Sequence, residues 1–109
     1  MDELDGYSAA VTIDQVQEPS GAWLVKLSGE VDISNSEALR VSVEQTLAAK
    51  PKKVVFDLSR LSFMDSSGLA VLILAANIVE EIEILDPSPV IRRVIQETGL
   101  SEILPISPP

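Results

Sequence analysis

Neither cysteine nor histidine occurs anywhere in the 109 residues. Disulfides, thiol nucleophiles and zinc sites of the Cys/His type are thereby excluded, together with Ser-His-Asp triads, imidazole acid–base chemistry and histidine phosphotransfer. Aromatic residues are scarce: Tyr7, Trp23, Phe56 and Phe63 are the whole set. A core must therefore be assembled from Leu, Ile, Val and Ala. Positive charge is also short, with 8 Lys and Arg against 17 Asp and Glu and a formal charge of −9. The bases are scattered, and only Lys52-Lys53 and Arg92-Arg93 are adjacent. Nothing here offers a footprint for nucleic acid or for an anionic membrane surface. The longest apolar run, Leu69 to Ala76, is too short to span a bilayer. The acidic start, Met1 to Asp5, lacks the layout of a signal peptide, so a cytoplasmic location is the default expectation. No phosphate-cradling glycine loop, dinucleotide fingerprint, nucleophile elbow or metal-ligand spacing is present, and no cofactor is expected.

What is present reads as a single domain over residues 1–109, with loose ends at 1–7 and 107–109. Ala10 to Gln17 alternates weakly and Ala22 to Ser28 alternates cleanly; Glu18-Pro19-Ser20-Gly21 between them is a turn signal, so the two runs predict a hairpin. Gly29-Glu30-Val31-Asp32 breaks the alternation. Ser34 and Glu37 have the spacing of a capping box, and Leu39, Val43 and Leu47 recur at four, which predicts a helix that Lys50-Pro51 ends. Val54-Val55-Phe56 is continuously apolar, as in a central strand covered on both faces. A helix from Leu69, a strand at Ile82–Leu85 and a helix opened by Ser88-Pro89 and closed by Gly99 follow. Ile103 to Ile106 is a candidate edge strand, since Pro105 denies it a central place. The order β-β-α-β-α-β-α predicts an α/β fold: a small mixed β-sheet with right-handed crossovers and helices packed on one face.

The most informative stretch is Leu61-Ser62-Phe63-Met64-Asp65-Ser66-Ser67-Gly68-Leu69. It places an acid and two hydroxyls where a strand gives way to a helix. Backbone N–H groups are unpaired at such a place and an anion is favoured, so a phosphate added to either serine would be well held. Local pattern alone is equally served by ordinary capping, with Asp65 as N-cap. Glu30 and Asp32 are candidates to rim the same surface and to contact a partner's arginine. Arg60 reads as a solvated base or a partner for Asp57 or Asp65. Phe63 reads as packing at the helix entry; Met64 is a candidate for a partner-facing apolar rim.

The nine residues from Leu61 to Leu69 resemble the phosphorylation-site signature of bacterial anti-sigma factor antagonists, which are single-domain STAS proteins. Leu27-Ser28-Gly29-Glu30-Val31-Asp32, Val54-Val55-Phe56-Asp57-Leu58 and Asp86-Pro87-Ser88-Pro89 with Gly99-Leu100 resemble further stretches of that family, so the likeness runs from about Val11 to Leu104. The resemblance implies a STAS-like fold and a non-enzymatic switch. The unphosphorylated protein binds an anti-sigma factor, a serine kinase of the GHKL type, and a sigma factor is freed. The kinase then phosphorylates the second serine of the motif and the complex separates, and a phosphatase resets the cycle. By position Ser67 is the acceptor and Ser66 the second choice, with Asp65, Gly68 and Leu69 as the frame; Met64, Glu30 and Asp32 complete the partner-binding set. The run from Leu69 to Ile82 contains neither Gly nor Pro and is shorter than the family pattern. That departure motivates an alternative, a STAS interaction module in a stress-sensing scaffold or a lipid-transport complex. An enzyme built on Asp65 and Ser67 with Arg60 or Lys26 has no visible base of suitable resting pKa.

Overall fold

In the computed structural model, which describes residues 10–108, alternation is the organising fact of the first two strands. β1 (Val11–Gln17) and β2 (Trp23–Val31) pair antiparallel, with Val11 opposite Gly29 and Gln17 opposite Trp23. The predicted hairpin is therefore present, and β2 continues through Gly29-Glu30-Val31 rather than stopping at Ser28. Gly29 is what lets it do so. Its φ is +101°, and a Cβ there would lie 2.2 Å from the Ala10 carbonyl oxygen. Only a residue without a side chain tolerates both conditions.

The remaining strands join in parallel. β3 (Lys53–Met64) lies beside β2, β4 (Glu81–Leu85) beside β3 and β5 (Ile106–Ser107) beside β4, giving the sheet order β1-β2-β3-β4-β5. The helices α1 (Ser36–Ala48), α2 (Ser66–Ile78) and α3 (Pro89–Glu97) connect them. Val25, Leu27, Phe56 and Ile84 on the strands meet Leu39 and Val43 of α1, Leu72 of α2 and Ile91 and Ile95 of α3 in one apolar cluster. All three helices thus cover one face of the sheet. The opposite face carries Asp14, Lys26 and Asp57, which are neighbours in register across β1, β2 and β3. Val55 points to that open face. It is 7% exposed yet stands outside the core cluster, flanked in register by Leu24 and Glu83. Its shelter comes from adjacent strands, so the continuous apolar run does not signal a sheet covered on both sides.

Three local expectations are corrected. Ser34 and Glu37 form no capping box: α1 begins at Ser36, after an Asn35 that makes no side-chain cap. The Asp32 carboxylate takes the Ser34 N–H at 2.8 Å and the Ser34 hydroxyl at 2.5 Å, the Asn35 Oδ1 accepts from the Asp32 N–H, and Glu37 pairs with Arg40. A turn closed by short polar side chains has out-competed the helix cap. Second, the edge strand is shifted to Ile106–Ser107; Leu104 is buried in the core and the Pro105 carbonyl accepts from the Ile84 N–H at 2.8 Å. Third, 107 and 108 are not loose: Ser107 accepts from the Asp86 N–H at 2.8 Å and Pro108 from Arg92 at 3.3 Å. Residues 1–7, expected to be loose, lie outside the described residues, as does 109. Ser88 and Pro89 open α3 as expected, and Gly99 closes it at φ +75°, with the Gly99 N–H on Gln96 and the Leu100 N–H on Ile95.

Candidate functional site

β3 buries Leu58, Leu61 and Met64 while Ser59, Arg60, Ser62 and Phe63 are exposed, a period of three instead of two. The cause is a pair of register shifts against β2, between Lys26 and Ser28 and between Gly29 and Glu30. At each, β3 spends one more residue than its partner, as in a β-bulge, and the following side chain is re-aimed. The Ser62 hydroxyl sits at the second shift and donates to the Gly29 carbonyl at 3.0 Å. The bulges deliver Met64 to the core at 4% exposure and leave Phe63 at 43%, paired in register with Glu30. This corrects both readings of that dipeptide: Phe63 is the surface residue, and Met64 has no partner-facing side chain.

Beyond Met64 the backbone turns into α2. The Asp65 N–H donates to the Val31 carbonyl at 3.1 Å, which fastens the helix start to the end of β2. Asp65 is the N-cap: its Oδ1 accepts from the Ser67 N–H at 2.9 Å and the Gly68 N–H at 3.3 Å, and from the Ser67 hydroxyl at 2.5 Å. These contacts hold the carboxyl below its ordinary pKa. The Ser67 hydroxyl is the leading cause; partial burial opposes it, and the N–H groups of Gly68, Ser67 and Ile33 add to the lowering. The first-turn N–H groups of Ser67 and Gly68 are therefore not vacant for an added anion, as the sequence reading supposed. Asp65 already holds them.

Ser66 is exposed and Ser67 is half-buried, its hydroxyl turned to Asp65. Gly68 is buried because the helix lies against the sheet end; a Cβ there would be 2.6 Å from Met64 Cγ and 2.8 Å from Val31 Cγ1. Leu69 is 6% exposed and belongs to the core. Its expected partner-facing role is not available to its side chain, and Gly68 contributes only closeness. Glu30 and Asp32 flank Val31 and so stand beside the start of α2, as anticipated; Glu30 is exposed and Asp32 half-buried. Arg60 is exposed and takes part in no ion pair among the described residues. Sequence reasoning missed Ile33, which follows Asp32, is 83% exposed, and places its N–H toward the Asp65 carboxylate. A lone isoleucine among Asp, Ser and Asn was the available signal.

A one-layer α/β sheet whose central strand delivers Asp-Ser-Ser-Gly to a helix start defines a class, and the comparisons agree. A model of the STAS domain matches residues 14–109, and the chain belongs to that family. It is 30% identical over 97 residues to the anti-sigma F factor antagonist of Paenibacillus polymyxa, covering 84% of this chain and 83% of that relative. Its fold matches the crystal structure of an anti-sigma factor antagonist from Mycobacterium paratuberculosis with a TM-score of 0.85 at 28% identity, over 92% of this chain and 87% of the other. The phosphorylated form of the Bacillus cell fate determinant SpoIIAA gives a TM-score of 0.69 at 25% identity, over 88% and 91%.

Proposed function

We propose that this chain is an anti-sigma factor antagonist switched by phosphorylation of Ser67. The unmodified protein binds a cytoplasmic anti-sigma factor that is itself a serine kinase of the GHKL type, and a sigma factor is released. Transfer of the γ-phosphoryl group of ATP forms a bond from Ser67 Oγ to the γ-phosphorus, breaks that phosphorus's bond to the β–γ bridging oxygen, which leaves with ADP, and releases the hydroxyl proton to solvent; the complex then separates until a phosphatase hydrolyses the ester.

The observation that carries this reading is the Ser67 hydroxyl, bonded to the Asp65 carboxylate at 2.5 Å on the first turn of α2. That hydrogen bond turns the Oγ–H toward Asp65 and leaves oxygen lone pairs for an incoming phosphorus. The product cannot keep the bond, because the donor is gone. In its place is a group of roughly −1.5 to −2 charges next to an ionised carboxylate whose N–H partners are already taken. The phosphoryl group is forced outward, where its bulk, its hydration and its repulsion from the kinase's nucleotide phosphates oppose docking. No rearrangement of the domain is required. The relatives named anti-sigma factor antagonists, and the phosphorylated SpoIIAA of like fold, support the assignment.

The test is phosphorylation by the serine-kinase anti-sigma factors of the organism that carries this chain. Label is expected on wild type and absent from Ser67→Ala. Equal labelling of that variant removes the site, and failure of the unmodified chain to bind any anti-sigma factor removes the function.

A further inference from the structure

Two large apolar side chains close to the start of α2 are exposed. Ile33 is 83% exposed, more than any other large apolar residue described, and Phe63 is 43% exposed. They belong to different elements, Ile33 to the turn that follows β2 and Phe63 to β3. Ile33 lies two residues past Val31, whose carbonyl holds the Asp65 N–H at 3.1 Å. Phe63 ends the bulged part of β3, two residues before the cap, opposite Glu30 in the β2–β3 register. The second bulge is the device that buries Met64 and leaves Phe63 exposed. Glu30 is exposed and enters no ion pair among the described residues. An isolated exposed apolar residue is ordinary; one in the turn after β2 and one on β3, both within two residues of the strand ends that meet the start of α2 and with an exposed acid opposite Phe63, form a surface shaped for a partner.

Resting on the function proposed above, we infer that Ile33 and Phe63 are the apolar anchors of the anti-sigma factor interface, with Glu30 paired to a lysine or arginine of that partner. The anti-sigma factor supplies an apolar pocket for each. Apolar anchors of this kind dominate interface energy, and an exposed charge beside Phe63 steers and orients encounter.

The experiment is a titration of the anti-sigma factor that binds wild type against Ile33→Ser, Phe63→Ala and Glu30→Lys, with Ile78→Ser at the far end of α2 as the control. Thermal melts verify that each variant is folded. Weakening of about 30-fold is expected for Ile33→Ser and about tenfold for Phe63→Ala, with a slower, more salt-sensitive association for Glu30→Lys and no change for the control. Wild-type affinity in both Ile33→Ser and Phe63→Ala overturns the anchors while leaving the proposed function intact. Absence of binding by wild type overturns the function, and the anchors with it.

Discussion

The starts of α2 and α3 use similar residues to opposite ends. α3 opens with Ser88 as a neutral cap accepting the Ile91 N–H, Pro89 at the first helical position and Ile91 buried at 1% exposure in the core. It is a helix anchored by a side chain at its third position. α2 opens with a charged cap, two serines and, at that same third position, Gly68. It is anchored by the lack of a side chain, which lets its backbone settle against Met64 and Val31. The comparison separates a start that only needs to begin a helix from one held close to the sheet end with a hydroxyl and a carboxylate kept in register at its tip.

The sharpest way to break that contrast is Gly68→Val. It forces side-chain volume into the 2.6 Å and 2.8 Å approaches and is expected to cost about 3 kcal/mol in urea unfolding, toward the upper end of overpacking effects. Next is Asp65→Ala, which removes a carboxylate serving two N–H groups and a hydroxyl; a loss of about 2 kcal/mol is expected, at the top of the range for N-caps. Because the folded state lowers the Asp65 pKa, its charged form stabilises the protein above the unfolded value, and that contribution fades as pH falls through the folded one. Melting of wild type and Asp65→Asn should therefore differ most near neutrality and converge below about pH 4. Ser88→Ala removes one 3.4 Å bond and is expected to cost only about 1 kcal/mol. Glu37→Ala should leave the melting midpoint unchanged, since its pairing with Arg40 is on the surface and no cap depends on it.

The order of elements, the hairpin, the Ser88-Pro89 start and the Gly99 stop were legible in the sequence, because alternation, proline and glycine act through the local backbone. So was the motif with Asp65 as cap. The surface around it was not. Whether Phe63 or Met64 faces outward depends on bulges set by pairing between β2 and β3, and a strand's own residues do not announce a register shift made with its neighbour. Ser34 and Glu37 carried a true capping signal that lost to the Asp32 turn, a competition decided by side chains on both sides of the helix start. Ile33 went unnoticed because periodicity detects apolar faces and gives no weight to a single apolar residue in a turn.

The claim that Ser67 is the switch is tested most directly by measuring the affinity of the anti-sigma factor for unmodified chain and for chain carrying phosphate at Ser67 alone. The account predicts that the phosphorylated protein keeps its fold and binds at least about a hundredfold more weakly. Equal affinity of the two forms would contradict it.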